Sequence, residues 1–247
     1  MWYKRFGYQQ NPFELDPFKT EYTVVNHNEI IDNVLYLVES GNIIVIEGGS
    51  GSGKTTFLRR IVDNFRGEGK VIYIDGNIIG KEPDIERILD RRGKRLLNIF
   101  DDKPKGLIIL LDNVEALSKK NCEKIKYYFD QNHIKSVVFT TQNYQQLDIS
   151  KSLKDRIVHN IISVPKLNKY EALRIIRERF SDHFFLSDEV IIRLFNQSKH
   201  NIKKTLQMCN DLCSFVVQEG RGEALPKYIP YIVKKRSYAN SKMQVQT

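Results

Sequence analysis

The eight residues Gly48-Gly49-Ser50-Gly51-Ser52-Gly53-Lys54-Thr55 limit the possible folds of this chain more than any other segment. They match GxxxxGK[ST], and both flanks fit the pattern. The apolar run Asn42–Glu47 (NIIVIE) leads in, and Thr55–Phe65 leads out with Phe57, Leu58, Ile61, Val62 and Phe65 at helical spacing. Glycines let the backbone turn several N–H groups inward around phosphate oxygens. The helix that follows points its positive end at the same anion. Gly48 to Thr55, with Thr56 behind them, are therefore the predicted phosphate-binding residues. Lys54 is placed to reach the β- and γ-phosphates, and the Thr55 hydroxyl to coordinate Mg²⁺. ATP and Mg²⁺ are the cofactors this implies.

Four further β-branched runs follow: Lys70–Asp75, Leu107–Asp112, Lys135–Thr141 and His159–Val164. Helical patterns separate them, over Asp84–Phe100 and near Lys119–Asp130, and another precedes the first strand over residues 26–39. Near-continuous apolar strands alternating with helices predict an α/β fold: a parallel five-stranded P-loop sheet with helices on both faces. After Pro165 the strand pattern stops. Asn168–Phe180, Ser187–Gln197 and Asn201–Glu219 read as a small three-helix lid domain. Asn168 and Glu171 have capping-box spacing, and Gly220 stops the last helix. The expected division is an N-terminal extended segment over 1–25, a nucleotide-binding αβ domain over 26–165, a helical lid over 166–221, and a basic tail over 222–247 whose last ten residues lack structure.

Composition narrows the setting. No apolar run approaches the roughly 18–20 residues that cross a bilayer, and the N-terminus has no apolar signal region, so a cytoplasmic protein with no membrane partner is expected. Three cysteines without CxxC spacing fit reduced thiols. Cys209 and Cys213, one helical turn apart, read as core. The net charge of +9 favours a polyanionic partner, DNA first. Arg91-Arg92-Gly93-Lys94-Arg95 is the densest basic cluster and the first candidate for phosphate contact, with Lys234-Lys235-Arg236 second. Either can equally be a solvated face, and Glu86 and Asp90 partly neutralise the first. Nothing suggests base reading, so binding would be sequence-tolerant.

The run Leu107–Asp112 ends in an acid, and Asp112 is the expected second ligand of Mg²⁺. At this point the arrangement resembles the AAA+ superfamily over about residues 10–235. The opening FGYQQNPFELDP is similar to that of ExeA-like ATPases. The stretch SLKDRIVHNIISVPKLNKYEALRIIRERF is similar to origin-recognition initiators and ExeA/TniB-type proteins. The resemblance implies four roles. Arg156 would reach into a neighbouring subunit's ATP site. Gln142, with Thr141 and Asn143 beside it, would be the first sensor of the γ-phosphate. Lys203 would take the second-sensor position, where the family usually has arginine. Asn113 stands where hydrolysing members have a glutamate, and an amide can orient a water but not take its proton. Glu115, two residues on, can substitute or can sit on the loop surface.

The implied function is an ATP-binding, DNA-associated assembly protein. It would oligomerise around ATP, with Lys54 of one subunit facing Arg156 of the next, and load or recruit a replication, helicase or transposition factor. A nucleotide-locked switch and a protein-remodelling or secretion-linked ATPase are the alternatives. The chain resembles a stripped core without the winged-helix domain that initiators carry after the lid.

Overall fold

The computed structural model describes residues 1–20, 27–66, 70–80, 82–97 and 106–244; side chains of 92–97 and 237–244 lie outside the description. The chain forms two compact units. One is His27–Pro165, and the other joins Met1–Asn26 to Lys166–Thr247.

The first unit runs α1 (Asn28–Glu39), β1 (Ile43–Glu47), α2 (Lys54–Phe65), β2 (Val71–Asp75), α3 (Gly76–Ile79), α4 (Ile85–Leu97), β3 (Leu107–Asp112), α5 (Lys119–Asp130), β4 (Ile134–Thr141), α6 (Lys151–Ile157) and β5 (Ile161–Ser163). All five strands are parallel in the order β2-β3-β4-β1-β5. Every residue of β3 is buried, as a strand covered on both faces requires. Successive side chains leave a strand on opposite faces. Ile43, Val45, Ile109 and Val137 accordingly share a core with Leu89 of α4, Ile125 of α5 and Leu153 of α6. Ile44, Ile46, Ile108, Leu110 and Val138 alternate with them and are equally buried. Phe57, Leu58, Ile61 and Phe65 form the buried stripe of α2.

The strand ending in Asp112 does not lie beside the strand that enters the phosphate loop, because β4 runs between them. In-register pairing of parallel strands still brings their carboxyl ends to one edge: Glu47 sits opposite Thr141, and Asp75 opposite Asp112.

The second unit contains α7 (Lys169–Arg179), α8 (Asp188–Gln197), α9 (Ile202–Gln218) and α10 (Ile229–Gln244). The capping box of Asn168 and Glu171 forms, and Ser187 and Asn201 cap the next two helices with their side chains. The N-terminal segment is not simply extended. A 3₁₀ turn over Trp2–Phe6 sets Trp2 against Phe13 and Phe180 with centroids 5.6 and 5.7 Å apart. The Trp2 indole donates to Asn210 Oδ1 (2.9 Å). Arg179 donates to the Glu14 carbonyl (2.8 Å), fixing the same segment to α7. The tail also differs from expectation. Residues through Gln244 belong to α10, because Ile229 and Ile232 recur at helical spacing and are buried. Residues 245–247 lie outside the described ones. The predicted helix Asp84–Phe100 is described as Ile85–Leu97, with 98–105 outside the description.

All three cysteines are buried and free. Burial pushes the Cys122 and Cys209 thiols up to about 12, which fits core residues and not nucleophiles. Among the described residues no helix is long and apolar enough to cross a membrane.

Trp2 is the only tryptophan, so its emission reports the second unit. Phe180→Ala removes a fully buried ring from that cluster. It is expected to shift the emission to the red and to destabilise this unit by about 3–5 kcal/mol in a denaturant titration.

Candidate nucleotide-binding site

The phosphate loop starts under the control of the sheet. Gly48 N–H donates to the Thr141 carbonyl of β4 (3.1 Å). Gly51 and Gly53 then stand at φ 73° and 101°, where a side chain would be strained. Gly53 is the N-cap of α2, and its carbonyl accepts from Thr56 N–H (2.8 Å) and Phe57 N–H (3.3 Å). Lys54 is only 7% exposed. Its ammonium donates to the carbonyls of Gly48 (2.6 Å) and Gly49 (3.2 Å), so the charge is held inside the loop's curve. The Ser52 hydroxyl is buried without a hydrogen-bond partner among the described residues.

Asp112 gathers the surrounding elements. Its carboxylate is 2% exposed. Oδ2 accepts hydrogen bonds from Thr55 Oγ1 (2.7 Å) and Tyr73 Oη (3.1 Å), and Oδ1 accepts from Thr140 Oγ1. A carboxylate withdrawn from water needs such donors, and here α2, β2 and β4 each supply one. Thr140 in turn accepts from Asn113 N–H (2.9 Å).

Just past the strand the backbone turns sharply. Asn113 has φ 57° and ψ 59°, a conformation asparagine enters more readily than most residues. Its side-chain amide donates to Asp75 Oδ1 (3.1 Å), at the end of β2. Asp75 Oδ1 also caps α3 by accepting from Asn77 N–H (3.0 Å). Gly76 makes this approach possible, since a Cβ there would lie 2.5 Å from the Asn113 carbonyl oxygen. Glu115 sits on the 3₁₀ turn Val114–Ala116. It is exposed but anchored, accepting from Thr141 Oγ1 (3.1 Å) and from Gln142 N–H (2.6 Å). The Gln142 side chain itself is exposed. Asn143 caps the next turn by accepting from Gln145 N–H (3.0 Å).

Among the described residues, the remaining predicted ones of the first unit are not hydrogen-bonded to Asp112. Arg156, in the last turn of α6, is 55% exposed and pairs with Asp130 of α5 (3.1 Å). Lys203 is exposed near the start of α9, in the helical unit. Arg91 is exposed on α4; Arg92, Lys94 and Arg95 lie on the same helix with side chains outside the description. Sequence reasoning missed Tyr73, Asp75 and Thr140. The available signal was polarity inside otherwise apolar strands, at Tyr73 in KVIYID and Thr140 in KSVVFTT.

A parallel sheet with this loop on its first strand and a buried acid two strands away is the core of a nucleotide-binding NTPase. Residues 26–182 match the family described as nSTAND3, "Novel STAND NTPase 3", and the chain belongs to that family. Cdc6p from Pyrobaculum aerophilum shares the fold over 91% of this chain and 70% of its own, with a TM-score of 0.72 and 14% identity. Orc1 from Aeropyrum pernix, solved in complex with DNA, matches over 92% of this chain and 69% of its own, with a TM-score of 0.71 and 13% identity. RuvB from Thermotoga maritima (T158V) gives 0.63 at 15% identity, over 91% of this chain and 72% of its own. At these identities the likeness is one of fold, and it bears out the origin-recognition resemblance at that level.

Two curated proteins are similar over shorter stretches. The xylose import ATP-binding protein XylG of Thermoanaerobacter pseudethanolicus is 26% identical over 146 residues, 56% of this chain and 28% of that protein. The zinc import ATP-binding protein ZnuC of Ehrlichia chaffeensis is 33% identical over 101 residues, 39% of this chain and 40% of that protein. The matches thus span less than half of either relative.

Lys54→Ala removes the one ammonium inside the loop. Nucleotide affinity, measured by calorimetric titration, is expected to fall about ten- to a hundredfold, the usual worth of a hydrogen bond to a charged group.

Proposed function

We propose that this chain binds ATP–Mg²⁺ at Gly48–Thr55 and uses the state of that nucleotide to assemble on DNA, as a slow ATPase that recruits or loads another replication or transposition factor. The observation that carries the reading is the Thr55 hydroxyl hydrogen-bonded to Asp112 at the head of the phosphate-loop helix (2.7 Å). A hydroxyl and a carboxylate, with no cluster of histidine and cysteine ligands among the described residues, fit a hard cation that keeps most of its water. Thr55 and Asp112 would hold Mg²⁺, which neutralises charge on the β- and γ-phosphates. The buried, unpartnered Ser52 hydroxyl fits a phosphate oxygen as its missing partner. Lys54 would exchange loop carbonyls for phosphate oxygens. The ATP-binding names of the curated relatives favour ATP as the nucleotide.

Slow turnover follows from residue 113. Asn113 has no carboxylate to take a proton, and its amide is engaged by Asp75. In this reading Glu115 orients the attacking water, held by Thr141 and the backbone of Gln142. Arg156 of a neighbouring subunit supplies the charge that the transition state needs, leaving its partner Asp130 to do so. Lys203 serves as the second sensor. Assembly would then depend on the γ-phosphate.

Two observations support DNA. The net charge is +9, and Arg91 is exposed on a helix that continues with Arg92, Lys94 and Arg95. The fold also occurs in DNA complexes, those of Aeropyrum pernix Orc1 and Drosophila ORC. Phosphate contacts of this kind carry no base information, so binding would tolerate any sequence. Asn113 also favours a second reading, a nucleotide-locked switch with no turnover.

ATP turnover at low salt, without and with duplex DNA, tests the proposal, with Lys54→Ala as the blank. Turnover is expected to rise with DNA and with protein concentration, and Arg156→Ala should abolish the concentration dependence. Tight ATP binding without turnover in either condition would sink the ATPase and leave the switch.

A second measurement addresses residue 113 itself. Asn113→Glu alone would set two carboxylates within hydrogen-bond reach, and both cannot ionise freely. Pairing it with Asp75→Asn restores an acid–amide pair in the opposite order. The double variant is expected to hydrolyse ATP faster than the parent, by up to about a hundredfold, and faster than the single variant.

A further inference from the structure

A ring cluster on the helical unit is left half open. Phe215 on α9 lies against Tyr231 on α10 with centroids 4.8 Å apart, and against Tyr228 at 5.7 Å. The Arg221 guanidinium lies 4.5 Å from the Tyr228 centroid and donates to its hydroxyl (2.6 Å). These groups back one another, yet Tyr231 remains 51% exposed.

The placement follows from the helix. Ile229 and Ile232 turn inward and are buried. Arg236 is tied down on α9 by Asp211 (2.6 Å) and Gln207 (3.0 Å). Tyr231 faces outward with Lys234 and Lys235, three and four residues on and so beside it on the helix surface. Both lysines are exposed and make no ion pair among the described residues. Lys227 is exposed as well, its ammonium 5.4 Å from the Tyr228 centroid. Between Glu219 and Arg236 there are five basic side chains and two acidic ones. One of the acids, Glu219, is engaged by Arg221 (3.6 Å).

We propose that this face of the helical unit binds single-stranded nucleic acid, with a base stacked on Tyr231 and phosphates on Lys227, Lys234 and Lys235. A braced, exposed aromatic ring flanked by free ammonium groups is the combination that holds an unpaired base and its backbone. A duplex hides its base faces, so the ring gives preference for a single strand. Every base has such a face, so it gives no sequence preference. The inference deepens the DNA-associated reading above and rests on it.

Fluorescence anisotropy of a labelled oligo-dT strand and of a duplex of equal length, titrated with the full chain over a salt series, tests it. Tyr231→Ala is expected to weaken oligo-dT binding about tenfold and to leave duplex binding nearly unchanged. The Lys234→Ala/Lys235→Ala pair should lower the salt slope on oligo-dT by about 1.4. Phe184→Ala, a change at an exposed ring elsewhere on the unit, should match the parent. Thermal melting checks folding, and Tyr231→Leu, which still covers Phe215 but offers no ring, takes over if Tyr231→Ala melts early. Unchanged oligo-dT affinity in folded Tyr231 variants, or an equal loss on both probes, overturns the proposal while the DNA-associated reading stands. A parent that binds neither probe overturns both.

Discussion

The carboxylate of Asp112 is buried at the end of β3, and three hydroxyls from three other elements meet it there: Thr55 on α2, Tyr73 on β2 and Thr140 on β4. A buried charge without partners costs several kcal/mol, so the acid is tolerable only where these donors converge. The dependence runs in both directions. The strands must end at one edge for the donors to reach, and once they do, the acid joins the start of the phosphate-loop helix to the far half of the sheet. Through those hydrogen bonds Thr55 is linked to β2 and β4 by way of a single side chain. This is the property a nucleotide-operated device needs, and it exists here in side chains alone.

Next to that centre, the pair formed by Asp75 and Asn113 sets the chemistry. Donor and acceptor stand on neighbouring strands, with the acid on β2 and the amide past β3. Gly76 lets the two backbones come close enough. The left-handed turn at Asn113 sends the chain on so that Glu115 folds back to the end of β4. The carboxylates in this region are therefore each held by named donors, which restrains where a water could be activated. The proposed slow turnover follows from that restraint.

The helical unit is organised differently. Its core is aromatic where it receives the N-terminal segment, around Trp2, Phe13 and Phe180, and mostly aliphatic along α8 and α9, where Phe195 is the exception on α8. Arg177 stiffens the turn between α7 and α8 by donating to the Leu186 carbonyl (2.6 Å) and to the Asp188 carboxylate. A unit with a core fixed this firmly can present an exposed feature, such as the Tyr231 face, in a constant shape. That constancy limits the side-chain entropy lost on binding.

The phosphate loop, the five strands, the helical caps and the cysteine core were legible in the sequence because each is encoded locally. Glycine spacing, two kinds of hydrophobic period and a cap residue act within a few positions of one another. The end of the chain was misread for the same reason. Residues past Arg236 have little apolar period of their own, and α10 exists because Ile229 and Ile232 find a core to enter. Tyr73, Thr140 and Asp75 gave only weak signals, since a polar residue near a strand end means little until its partner is known. That partner lies 28 to 39 residues away for the two contacts to Asp112 and 38 away for the contact to Asn113. The sequence by itself determined that a phosphate loop would sit between a strand and a helix on a parallel sheet. Strand order and register decided which side chains complete it, because only pairing across the sheet carries residues so distant along the chain to one edge.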